Sequence, residues 1–225
     1  MMLTVQDVEI HQELIRESRL FHFGTLSMTH ETVELATKRA VEIAREAGCI
    51  LSFDPNLRSP LWDDMEKARE KICYGFSQCD VLKISDNEIE FMTGKEDLHE
   101  GVCDLIRTYQ IPLILATFGK DGSKAYYLPK EKRNGQASPE DYIQVFVKGF
   151  LNPNTIETTG AGDTFGGSSL HFVLKYGLDG LDEEKLREML TFANAAASIV
   201  TTRKGALCVM PQMDEVMNYI HSYKE

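Results

Sequence analysis

The 225-residue chain has no apolar run approaching the ~20 residues a helix needs to cross a bilayer. Its first residues show no basic-then-apolar leader pattern. Both absences lead to the expectation of a cytoplasmic protein with no membrane partner. Basic residues are also in short supply, with 24 Lys+Arg against 35 Asp+Glu and a formal charge of −11. That balance repels a long polyanion and disfavours a nucleic-acid partner. A small nucleotide stays open, since it needs only local donors and a metal. The five cysteines (Cys49, Cys73, Cys79, Cys103, Cys208) form no C-x-x-C pair and are odd in number, as expected of reduced thiols in the cytosol. The six histidines include no H-x-x-x-H pair, which disfavours a histidine metal centre.

What is present suits a sizeable core: 43% of residues are hydrophobic and 26% charged. No linker, repeat or low-complexity stretch interrupts the chain, so one α/β domain over 1–225 is expected. Thr4 and Asp7 resemble a capping box opening a helix over 5–17. Strand candidates lie at 19–24, 49–54, 80–85 and 112–119, alternating with helices at 29–48, about 64–77, 86–93 and 98–109. In the 29–48 segment Val33, Ala36, Ala40, Ile43 and Ala47 keep a helical spacing closed by Gly48. Short apolar strands alternating with helices predict a parallel sheet covered on both faces. After Gly122 the rhythm changes. "SKAYYLP" and "YIQVFVKG" read as two antiparallel strands, joined by a polar surface connection over 130–141. Helices follow at about 161–176, 183–203 and 212–223. The chain opens on a helix where a doubly wound domain usually opens on a strand, a hint of missing upstream material.

The richest stretch is "NTIETTGAGDTFGGSSLHFVLKYG" at 154–177. Glycine weakens a helix by ~1 kcal/mol relative to alanine, so Gly160, Gly162, Gly166 and Gly167 need a reason. Unpaired N–H groups and the dipole at a helix N-terminus favour an anion, and glycines let a phosphate approach those amides. Asp163, in the first turn, is then placed to take a proton from an attacking hydroxyl. An N-cap aspartate after a flexible turn is the plainer alternative. Two threonines, G-A-G-D and the Gly166-Gly167 pair together favour the phosphate reading. Neither G-x-x-x-x-G-K-[ST] nor a G-x-G-x-x-G in the right context is present, so this is a different nucleotide solution.

"TTGAGDTFGG" resembles the signature of the ribokinase-like, or PfkB, family of carbohydrate kinases. "FDPNLR" (53–58), "LKISDNEIEFMTG" (82–94), "TFGKDG" (117–122) and "FANAAASIVTTRKGA" (192–206) follow in that family's order and cover most of the chain. "LFHFGTLSMTHE" and the form of "FDPNLR" look closest to bacterial fructokinases. The resemblance implies a ribokinase-like, Rossmann-type, mostly parallel sheet flanked by helices. It implies ATP and Mg²⁺ as cofactors and a sugar as substrate, with D-fructose phosphorylated to fructose 6-phosphate as the favoured reading. Ribokinase or 2-keto-3-deoxygluconate kinase activity, or a non-catalytic kinase-like fragment, are the alternatives.

Carried over by resemblance, Asp163 is the catalytic base and also meets the substrate hydroxyl. Gly160, Ala161 and Gly162 form the anion hole. Glu88 organises Mg²⁺ through water, with Ser85 standing where the family usually has Asn. Lys83 either meets phosphate or ends its strand. Thr117, Gly119 and Gly122 flank the nucleotide phosphates and ribose, while Asn194 and Ala197 border the adenine. Leu186, Leu190, Ala193, Ala197 and Val200 also give that helix an ordinary buried face. Glu157, Thr159, Val200, Arg203 and Gly205 match the positions around a monovalent cation such as K⁺, with Glu157 replacing the usual Asp. Asp54, Asn56 and Arg58 are candidates for the sugar side or for bracing the phosphate site; capping a strand end or a surface ion pair is an equal reading for Arg58. The family's glycine-rich sugar segment and its β lid lie upstream of the matched region. The expectation is therefore an N-terminally truncated chain whose parent, in a family that often pairs through the lid, forms a homodimer.

Overall fold

The computed structural model describes residues 2–223. Its elements run α1 (Val5–Ile10), α2 (Gln12–Arg16), β1 (Leu20–Gly24), α3 (Glu31–Glu46), β2 (Ile50–Asp54), α4 (Met65–Gln78) and β3 (Val81–Ser85). Then come α5 (Asp86–Thr93), α6 (Leu98–Tyr109), β4 (Leu113–Thr117), β5 (Ser123–Tyr127) and β6 (Ile143–Val147). The last helices are α7 (Ala161–Tyr176), α8 (Glu183–Val200) and α9 (Met213–Ser222). The strands form a six-stranded sheet in the order β1-β2-β3-β4-β5-β6. No helix among the described residues is long and apolar enough to cross a membrane.

The chain divides into two compact units, one of residues up to 114 plus 132–141, the other of 115–131 plus 142 onward. In the first unit β1 and β2 are parallel in the register Leu20↔Ile50 to Gly24↔Asp54, and β2 and β3 are parallel with Phe53 opposite Leu82. β2 and β3 are buried along nearly their whole length, as strands of a sheet covered on both faces are. Phe53, Val81, Leu82 and Ile84 are fully buried. The predicted spacing in α3 places Ala36, Ala40 and Ile43 in a cluster with Val8 of α1. Ala47 instead lies past the helix end and is exposed.

In the second unit β5 and β6 are antiparallel from Ser123↔Val147 to Tyr127↔Ile143. α8 packs on β5, β6, α7 and α9. Its buried stripe includes Leu186, Leu190, Ala193 and Val200, each with no exposure, as the four-and-three spacing predicts.

Two expectations need correcting. The 5–17 helix starts with its capping box, Thr4 and Asp7 each bonding the other's backbone N–H, but breaks at His11 (φ −108°, ψ 17°). Ile10 and Leu14 are 65% and 70% exposed, so the segment lacks one continuous buried face to hold a single helix. The 130–141 connection is not wholly at the surface. Ala137 and Pro139 are buried, and Gln110 clamps Ala137 by accepting its N–H (2.7 Å) and donating to its carbonyl (3.0 Å).

Candidate active site

In the first unit the carboxyl end of β2 carries Asp54 and β3 carries Lys83. Both are buried, and Lys83 Nζ lies 3.1 Å from Asp54 Oδ2 and 3.3 Å from Oδ1. Asp54 Oδ1 also accepts the Asn56 N–H at 3.0 Å, closing a turn that holds Asn56 at φ 45°. Asparagine tolerates this left-handed conformation better than most residues. Burial pushes the Asp54 carboxyl up to about 6, opposed by the adjacent Lys83 charge and reinforced by that of Glu88. Thr25 Oγ1 donates to the Pro55 carbonyl and ties the same turn to the residues after β1.

The turn delivers the Leu57 N–H to Glu88 Oε1 at 2.8 Å. Glu88 Oε2 accepts the Ser85 N–H at the same distance. "SDNE" is thus a capping arrangement as well as a motif: Ser85 precedes α5 and Glu88, at its third position, reaches back. Glu88 is 5% exposed, and each oxygen, with one amide bound, keeps lone-pair capacity for a water. A fixed carboxylate of this kind fits a Mg²⁺ held through water. The described residues contain no group of three or more His, Cys, Asp or Glu that would hold a metal directly. Arg58 is not drawn into the cluster. It is exposed, and its guanidinium donates to the neighbouring Leu57 carbonyl.

The second unit holds the glycine motif. Gly160 caps α7 at φ 78°, where a Cβ would come within 3.3 Å of Ala206 Cα. The Gly160 carbonyl accepts the Thr164 N–H (2.8 Å), and the Ala161 N–H is taken by the Thr158 carbonyl (3.1 Å). Among the described residues the N–H groups of Gly160, Gly162 and Asp163 are without partners. The exposed Asp163 side chain likewise has no hydrogen bond or ion pair within the described protein. Beside it, Thr164 Oγ1 is buried without a partner among the described residues, a feature no sequence signal announces.

Around this helix start, Glu157 accepts the Gly205 N–H at 3.0 Å. The Thr201 carbonyl takes the N–H groups of both Ile156 and Glu157. Arg203 donates its backbone N–H to Val200, while its guanidinium grips the Val209 carbonyl and Glu215. Glu157 thus binds the 203–205 loop through its side chain. The Thr159 and Gly205 carbonyls, with no donor among the described residues, fit a monovalent cation held by backbone oxygens.

The 117–122 segment is a tight turn. Phe118 donates to the Gly122 carbonyl (2.8 Å) and Asp121 to the Phe118 carbonyl (3.0 Å). Gly122 has φ 115°, and a Cβ there would sit 2.2 Å from the Val147 carbonyl oxygen, so only glycine fits. Asn194 is 8% exposed, and all its hydrogen bonds are internal: Oδ1 accepts Ser123 Oγ (2.9 Å), Nδ2 donates to the Val147 (3.0 Å) and Lys148 (3.2 Å) carbonyls. Ala197, one turn on, is half-buried. Sequence reasoning passed over Ser123 and the Leu57 amide, since a hydroxyl in a strand and a backbone N–H carry no motif.

Known proteins resemble this chain along nearly all of its length. The model of the pfkB family carbohydrate kinases matches residues 1–213. Fructokinase-1 of Zea mays is 37% identical over 220 residues, covering 98% of this chain and 63% of that protein. Fructokinase-1 of Oryza sativa subsp. japonica is 37% identical over 214 residues, covering 95% and 62%. The solved fructokinase of Vibrio cholerae O395, in its fructose, ADP and calcium ion bound form, superposes with a TM-score of 0.79 at 26% identity, covering 97% of this chain and 65% of that one. The chain thus spans under two thirds of the length of these relatives. Family match, relatives and fold agree: the chain belongs to the pfkB family of carbohydrate kinases.

Proposed function

We propose that the protein takes part in ATP-dependent phosphorylation of a sugar hydroxyl, with D-fructose going to fructose 6-phosphate. The observation that carries this reading is the start of α7, where an exposed Asp163, without a partner among the described residues, sits beside the Gly160 and Gly162 amides, open among the same residues. Asp163 takes the proton of the acceptor hydroxyl as its oxygen bonds to the γ-phosphorus. The bond from phosphorus to the bridging oxygen breaks, and ADP leaves with the electron pair. The Gly160-Ala161-Gly162 segment faces charge on the transferred group, with Gly160 and Gly162 supplying its free N–H groups. Catalysis of this kind is mostly positioning and electrostatics.

When bound, Mg²⁺ neutralises phosphate charge. The role assigned here to Glu88 is to hold its waters from a carboxylate fixed by the Leu57 and Ser85 amides. Lys83 and Asp54 fix that end of β2 and β3, and the turn at Asn56 and Arg58 is assigned to the sugar side. Thr117, Gly119, Gly122, Asn194 and Ala197 are assigned to the nucleotide, and Glu157, Thr159, Val200, Arg203 and Gly205 to K⁺. Fructose is supported by the fructokinase relatives and by the fructose in the Vibrio structure. Five free cysteines support a cytoplasmic setting.

The test is ADP release from Mg·ATP by the 225-residue chain on a panel of D-fructose, D-ribose and 2-keto-3-deoxygluconate. Release is expected to be fastest with fructose. A rate no better than with the other two overturns the choice of sugar, and no release with any of them overturns the activity for this chain.

A further inference from the structure

We propose that Asn194 is a positioning residue, whose carboxamide sets the shape of the 119–122 turn and through it the grip on a polyphosphate, without donating to the base. The inference rests on the assignment of that turn to the nucleotide made above.

The hydrogen bonds decide what Asn194 is free to do. Carbonyls only accept, so the amide nitrogen must face Val147 and Lys148, and a two-hydrogen group bonding both has no donor left. The ring nitrogens of adenine need a donor, which this side chain no longer offers. Its oxygen accepts from Ser123, a residue with no exposure at all, and the capacity it keeps is for a further donor, which the adenine ring nitrogens are not. Asn194 is thereby tied to the chain at two places: the residue that follows Gly122, and the end of β6 at Val147 with the Lys148 that follows it.

Those two places are in backbone contact. A Cβ on Gly122 would meet the Val147 oxygen at 2.2 Å and the Gly149 nitrogen at 2.6 Å. A Cβ on Gly149 would meet the Lys120 carbonyl oxygen at 2.2 Å. The turn and the end of β6 therefore lie backbone on backbone, with no side chain between them to absorb a shift. Asn194 grips both sides of that contact from α8. Loss of the grip releases the turn as a whole, so it alters every ligand the turn holds by its phosphates.

The experiment compares the wild-type chain with Ser123→Ala and Asn194→Ala by calorimetric titration with Mg·ATP and with inorganic tripolyphosphate in the same Mg²⁺ buffer. Ser123→Ala removes one hydroxyl that no base can touch, and keeps the test alive if Asn194→Ala does not fold. Both ligands are expected to weaken by the same factor, about three- to tenfold, the scale of one lost buried hydrogen bond, leaving the ratio of their Kd values unchanged. A bond that merely stabilised the fold would leave both Kd values of the folded variant unmoved, and that result overturns the proposal. Weakening of ATP with tripolyphosphate untouched overturns it too, in favour of base reading. Hydrogen exchange gives a ligand-free check: the Phe118 and Asp121 amides should exchange faster in Ser123→Ala, and unchanged protection contradicts the inference. If wild type binds neither ligand, the nucleotide assignment itself falls, an outcome seen before any variant is made.

Discussion

The two units treat their acids in opposite ways. In the first, Asp54 and Glu88 are 6% and 5% exposed, and every oxygen of both meets an amide or an ammonium. In the second, Asp163 stands exposed at a helix start with no partner among the described residues. A carboxylate anchored at both oxygens holds something in place. One left open beside free amides can meet an incoming hydroxyl without giving up a bond of its own. On the proposed function, the difference separates groups that shape a site from a group that reacts in it, and it predicts different penalties for removing them.

The largest effect is expected at the open acid. Asp163→Ala should cut phosphoryl transfer, measured as ADP release, by about 10²–10⁴-fold while leaving the Kd for Mg·ATP within about threefold. An unchanged rate removes Asp163 as the base.

In the first unit the penalty should fall on stability. Lys83→Met leaves Asp54 buried without its counter-charge and is expected to cost about 3–5 kcal/mol in urea unfolding. A cost under about 1 kcal/mol would make the pair no stronger than a surface ion pair.

The same pair gives a pH prediction. The native Asp54 carboxyl, near 6, lies above its ordinary value of 3.8. The folded protein therefore holds more protons between those values, and the stability this group contributes at low pH is lost as pH climbs from about 4 to about 6. The stability margin of wild type over Asp54→Asn, taken from urea midpoints, should shrink across that range and then level off. A margin that grows there contradicts the assignment.

The smallest effect is at Gly166, in α7, where an added Cβ meets nothing within 4 Å. Gly166→Ala should stabilise the folded chain by about 0.5–1 kcal/mol, since alanine is the better helix former. If thermal melting shows that gain while Mg·ATP binding weakens, the glycine is clearance for ligand. If binding is unchanged, its only effect is on helix stability.

Much of the fold was legible in the sequence, and the unread part has a common cause. α5, α6 and α7 fall on their expected bounds because capping residues and glycines mark them locally: Ser85 before α5, Asp97 before α6, Gly160 before α7. The break at His11 was not legible, as it depends on what α1 and α2 find to pack against. Nor was the burial of Ala137, which needs Gln110 from another element. Motif reading found Glu88 and Asn194 but not their anchors. The Leu57 amide and the Val147 and Lys148 carbonyls are backbone groups, identical in every residue, and only the fold brings them to those side chains.

The central claim is that the chain carries a working nucleotide site built on α7 and the 117–122 turn. It is tested most directly by calorimetric titration of the 225-residue chain with Mg·ATP. Saturable binding at one site per chain, retained in Asp163→Ala, is the result predicted. No measurable heat, with the chain shown to be folded, would contradict it.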